Sequence, residues 1–172
     1  MTNLPNVTEI ISKDELRPNL NFAVVLNGMM QATDGYIAAN IDLFDFLEGS
    51  CLENIEGKAF KTETIKEINK AESATFEKED IHLLSKSGRL TKIPYDGCVT
   101  DRNITESIYD KKTKQFETKN IGRFPILQGI LEGGGFEELS VYSGINPTQL
   151  LSAAKALPDF SKDITLEFSQ KG

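Results

Sequence analysis

"GMMQATDGYIAANID", residues 28–42, alternates apolar and polar residues on both sides of Asp34-Gly35. Period-two alternation marks a half-buried strand, because successive side chains leave opposite faces. Asp-Gly between two such runs is a strong hairpin signal, since a two-residue type I′ turn needs positive φ at both central positions. One step upstream, "NFAVVL" (21–26) is followed by Asn27-Gly28, a second dipeptide of the same kind. The reading is a three-stranded antiparallel meander over about 22–27, 29–33 and 36–42. Asp34 is thereby a turn residue rather than a catalytic carboxylate: no partner acid, base or metal set accompanies it.

Bulk properties narrow the setting of that meander. The chain has 172 residues, 39% of them hydrophobic, enough to bury one core. Its net charge of −7 disfavours long-range attraction to nucleic acid. The charge is uneven. Residues 1–57 carry 2 basic and 9 acidic groups (net −7), residues 58–123 carry 14 and 11 (net +3), and residues 124–172 carry 3 and 6 (net −3). An anionic partner is therefore expected at the middle third. Cys51 and Cys98 form no zinc spacing and read as free thiols. "MTNLPNVTEI" has no basic and apolar signal pattern, and no apolar run reaches a membrane span. A cytoplasmic protein without membrane contact is the expectation.

Residues 1–20 are polar around Pro5 and Pro18 and read as an N-terminal arm, leaving one domain over 21–172. "KTETIKEINKAE" (61–72) is helical, with a Thr64/Glu67 capping box and Ile65 and Ile68 one turn apart. Residues 73–95 return to strands. "ITESIYDKKTKQFETKN" closes a charged hairpin over about 96–120, an insertion with Lys111, Lys112 and Lys114 at its tip. Gly133-Gly134-Gly135 is a flexible connection; it lacks the Lys-Ser/Thr of a phosphate loop and has Glu132, Glu137 and Glu138 beside it. "INPTQLLSAAKALPDF" is the best-marked helix. Asn146 caps it, Pro147 opens it, Leu150, Ala153, Ala154 and Leu157 share a face, and Pro158 ends it. "DITLEFS" alternates as a last strand. The element order is βββ, βα, βββ, a hairpin, then βαβ. Its two similar β-α-β units predict an α+β domain with an internal repeat.

Few residues offer chemistry. His82, the one histidine, could serve a cysteine nucleophile at Cys51 or Cys98, but the sequence around both thiols is ordinary. On the 61–72 helix, Lys66 and Lys70 share the outer face with Glu63 and Glu67, a spacing that predicts solvated ion pairs. The second helix adds Lys155. No metal or cofactor site is expected, and no catalysis.

"VLNGMM", "ATDGYIAANI" and, about 80 residues on, "GRFPILQGIL" together resemble the bacterial DNA polymerase III beta subunit, the sliding clamp. In that family an L-N-G-M/V strand precedes an A-T-D-G turn, and G-R/K-F-P closes a clamp domain. "GINPTQLLSAAKAL" followed by "DITLEFS" is similar to the helix-and-strand unit of such a domain. The likeness covers roughly residues 20–95 and 121–170. The family's full clamp has three domains and about twice this length. Its A-T-D-G is followed by His-Arg-Leu, where this chain has Tyr36, Ile37 and Ala38.

The resemblance implies a DNA-clamp-like fold: two β-α-β-rich repeats, with two helices packed against curved antiparallel sheets. The strand–helix unit expected before "FAVVLN" is missing, and so are the strands after Gly172. A permuted single clamp-like domain, with its C-terminal unit beside the N-terminal meander, accounts for both. In the family, the positions matching Thr33, Gly35, Tyr36 and Ile37 help form a groove that grips short partner peptides. Lys66, Lys70, Lys111, Lys112, Lys114 and Lys155 are the side chains expected to face DNA. The implied function is that of a non-catalytic accessory protein of DNA replication or repair. It would tether DNA or bind a polymerase or other replication protein through a short peptide, and assemble with itself to encircle DNA. The alternative is a protein-interaction module that keeps the clamp fold without binding DNA.

Overall fold

The computed structural model describes residues 4–110 and 115–127. Ten strands and two helices follow one another: β1 (Ala23–Leu26), β2 (Met29–Thr33), β3 (Ala38–Asp42), α1 (Gly49–Ile55), β4 (Lys58–Phe60), α2 (Thr62–Lys70), β5 (Ser73–Phe76), β6 (Asp80–Leu84), β7 (Leu90–Pro94), β8 (Gly97–Thr100), β9 (Asn103–Asp110) and β10 (Gln115–Arg123). A 3₁₀ turn, Pro18–Leu20, precedes β1. The architecture is α+β with antiparallel pairing throughout. One sheet of seven strands runs β10-β9-β8-β4-β1-β2-β3, and a second of three runs β5-β6-β7.

β1 explains the continuous apolar run at its centre. Ala23 and Val25 point into the main core, which also takes Ile65 and Ile68 of α2 and Phe76 and Ile81 of the small sheet. Val24 points to the other face, where it meets Ala59, Val99, Ile104, Phe124 and Leu127 in a second core. A strand covered on both faces cannot alternate in polarity, so it reads as unbroken Ala-Val-Val-Leu.

The meander forms as expected at its first turn and differently at its second. Asn27 (φ 55°) and Gly28 (φ 73°) make the two-residue turn with Leu26 opposite Met29. Glu56 accepts both of their N–H groups, at 2.7 and 3.0 Å. Asp34-Gly35 is not a two-residue turn. Thr33 pairs with Ala38, so the loop is Asp34–Ile37 and β3 begins two residues later than the alternation predicts. Only Gly35 has positive φ there, at +94°. The Asp34 side chain, by bonding the backbone ahead of it, favours a longer loop over the type I′ turn.

Other parts of the chain also depart from the expectation or add to it. Residues 4–20 are no loose arm: Leu4, Val7, Ile10 and Ile11 are buried in the main core. Val7 O accepts from Ile10 N and Ile11 N, and this single turn presents all three side chains inward. The hairpin expected over 96–120 forms, as β9 with β10, and is continuous with the large sheet because β8 pairs with β4. Asp101 and Arg102 turn β8 into β9 with positive φ (49° and 67°) and no glycine. The Thr64/Glu67 capping box does not form, since α2 begins at Thr62 and buries Thr64. α1, which the polarity pattern did not single out, contributes Leu52 and Ile55 to the core. The helix expected over 146–157, the last strand and the proposed permutation lie outside the described residues.

Candidate functional site

Thr33, Asp34, Gly35, Tyr36 and Ile37 form one compact loop held by five hydrogen bonds. Thr33 Oγ1 donates to Ile37 O (2.7 Å) and accepts from Gly35 N (3.0 Å). Asp34 Oδ1 accepts from Tyr36 N (2.8 Å) and Ile37 N (2.9 Å), and Asp34 N donates to Ile37 O. Short polar side chains that bond the backbone ahead of them are the usual reason for Thr and Asp at such positions. Thr33 is buried, Ile37 packs against the main core, and Tyr36 is 77% exposed. Of the four residues the sequence named for a peptide groove, Tyr36 alone presents its side chain outward.

Nothing in the sequence says that Arg17 lies beside this loop. Arg17 sits against Gly35, where a Cβ would collide with its guanidinium, and stands 5.9 Å from the centroid of the Tyr36 ring. It is aimed by Asp14, whose Oδ2 accepts from Arg17 Nε at 2.8 Å. The Leu16 backbone N–H and then Arg17 hold the Asp14 carboxyl below its ordinary range, and the bond to Asp14 raises Arg17. Leu16, next in the chain, is 91% exposed. Asn19 then donates from Nδ2 to Arg123 O at 2.8 Å, tying the Pro18–Leu20 turn to the end of β10. Beyond β10, Arg102 donates to Phe124 O (3.1 Å) and to Pro125 O, while Phe124 N donates back to Arg102 O (2.8 Å). The ATDG and GRFP segments are thus linked through the Arg17–Leu20 stretch. An i,i+3 Asp-Arg pair was the one local hint that Arg17 would be oriented.

On α2, Lys66 and Lys70 are exposed, as the helical spacing requires. The expected pairing with Glu63 and Glu67 is absent: among the described residues neither lysine makes an ion pair. The helix start is capped from a distance. Asp96, between β7 and β8, accepts from Lys61 N at 2.7 Å, and Thr64 bonds the same carboxylate. Burial pushes the Asp96 carboxyl up, against the lowering effect of those bonds. Lys61 reaches the other way, to Glu106 of β9 and over the Phe22 ring. Lys111, Lys112, Lys114 and Lys155 lie outside the described residues.

His82 does not meet a thiol. Its Nε2 lies 2.9 Å from Asp80 Oδ1 at an angle outside hydrogen-bond geometry, and Lys92 stands opposite on β7. Cys51 packs against the main core and Cys98 is exposed on β8, and no hydrogen bond joins either to His82 among the described residues. No cluster of His, Cys, Asp and Glu suited to a metal ion occurs among the described residues. No helix there is long and apolar enough to cross a membrane. Compared with protein-family models, curated proteins and solved structures, the chain finds no match in any of the three.

Proposed function

We propose that the chain is a clamp-like, non-catalytic accessory protein of DNA replication or repair that holds a short apolar peptide of its partner at the Asp34–Ile37 loop. One observation carries this reading: an aromatic ring, Tyr36, stands 77% exposed on a loop whose backbone is pinned by its own side chains. A pinned loop loses little entropy when a partner arrives, so more of the contact energy remains as affinity. Tyrosine offers large apolar area with a water-tolerant hydroxyl, the chemistry of interface anchors. Arg17 beside the ring supplies a cation next to the turn, where the resembled family has its His-Arg pair in sequence. The β4-α2-β5 succession beside the β1-β2-β3 meander is the support the fold lends to the β-α-β-rich repeats of the resemblance.

The test is binding of a fluorescein-labelled clamp-type peptide, followed by anisotropy, to wild type and to Tyr36→Ala. A folded Tyr36→Ala protein should lose more than about 1 kcal/mol of affinity. Equal binding by both proteins refutes the loop as the docking site. The second reading, an interaction module without DNA contact, is favoured by the equal numbers of Lys and Glu on the outward face of α2. Salt-dependent retention on immobilised duplex separates it from the first.

A further inference from the structure

Between the N-terminal segment and α2 lies an open surface groove of about 490 Å³, apart from the Asp34–Ile37 loop. Lys66, Asn69 and Lys70 line one wall; their spacing of i, i+3 and i+4 puts them on one helical face. Asn6, Thr8 and Glu9 line the other.

The hydrogen bonds already made decide what this groove can recognise. Asn69 Oδ1 is occupied by Leu4 N at 3.0 Å, and Asn6 Oδ1 by the Thr8 hydroxyl at 2.8 Å. Each carboxamide oxygen already accepts one bond within the protein, while neither NH₂ donates a hydrogen bond among the described residues. Lys66 and Lys70 add two ammonium donors that have no ion-pair partner among the described residues. Glu9 is the one acid in the lining. Two neutral amide donors and two cations face the Glu9 carboxylate and the Thr8 hydroxyl, so donors and positive charge are in excess.

We infer that this groove binds a phosphate group, with Asn6 and Asn69 donating N–H bonds and Lys66 and Lys70 neutralising charge. A phosphate offers several acceptor oxygens and no obligatory donor when ionised, which matches that set. The source is either free phosphate or a phosphodiester. The inference goes beyond the peptide-docking reading above and does not rest on it; only the diester source would add DNA contact to that reading.

The experiment titrates the full chain with inorganic phosphate, and separately with a twelve-base-pair duplex, at constant ionic strength against chloride. The readout is the side-chain NH₂ resonances of Asn6 and Asn69. Asn69→Asp is the decisive variant: it keeps an oxygen for Leu4 N but turns the free donor into an acceptor. Asn6→Asp does the same for the Thr8 contact. The expected result is saturable shifts of both amides in wild type. Asn69→Asp and Asn6→Asp should keep the wild-type melting temperature and each lose about tenfold or more in affinity. Saturation with phosphate alone supports the groove while removing its link to DNA; saturation with the duplex supports both. The inference is overturned if neither ligand shifts the amides, or if Asn69→Asp binds as wild type does. Peptide binding at Tyr36 is unaffected by any of these outcomes.

Discussion

Replacing Gly35 by alanine tests the loop on which the proposed docking rests. Gly35 sits at φ +94°, a region that L residues enter only under strain of about 1–3 kcal/mol. A second effect is steric, because the new Cβ would meet the Arg17 guanidinium. That group is the far end of a half-buried side chain held only by Asp14 at Nε among the described residues, so it can turn aside at small cost and the backbone term dominates. For a chain of this length the strain corresponds to a fall in melting temperature of roughly 2–12 °C. The two causes separate in a double-mutant cycle with Arg17→Ala. If backbone strain dominates, Gly35→Ala costs the same with and without Arg17. Urea unfolding followed by circular dichroism serves as the assay, since the chain has no tryptophan. An unchanged midpoint for Gly35→Ala would refute the positive φ. A cost that vanishes in the Arg17→Ala background would refute the claim that the backbone is its source.

Other consequences can be measured in the same way. Ile65→Ala and Ile68→Ala, both at fully buried positions of α2, should each cost about 2–5 kcal/mol; a loss below roughly 0.5 kcal/mol would mean that this helix face is not packed. Gly97→Ala should cost about 1–3 kcal/mol, because the new Cβ would lie 2.5 Å from the Thr105 carbonyl oxygen across the β8–β9 pair; wild-type amide exchange in β8 and β9 would contradict it. The Asp96 carboxyl titrates above its ordinary value of 3.8 because it is buried, so the folded state binds its proton more tightly than the unfolded one. The stability this group contributes is full below that value and is lost as pH rises through the raised one. Asp96→Asn should therefore gain on wild type as pH rises above 3.8, and a trend of opposite sign in urea midpoints would show that its bonds to Lys61 and Thr64 outweigh its burial.

The sequence by itself determined the elements whose cause is local. Asn27-Gly28 demanded its turn because both residues adopt positive φ. The Ile65/Ile68 spacing was enough to mark α2, and the apolar run at 22–26 was enough to mark a strand. Tyr36 was named as one of four groove positions; the loop decides that it is the outward one, since Tyr36 and Ile37 lie there and not on β3. Tertiary structure decided everything that joins distant residues. Val7, Ile10 and Ile11 look like part of a polar arm until the core that receives them is assembled. A cap need not be local: Asp96 lies 35 residues from Lys61, so no window around α2 contains it. Arg17 and Gly35 meet for the same reason, and so do the two walls of the groove, Asn6–Glu9 and Lys66–Lys70. Hydrophobic periodicity shows which face of an element is buried, because burial acts along one strand or helix at a time. It does not show which other element covers that face, since apolar packing is non-directional and many partners would serve equally well.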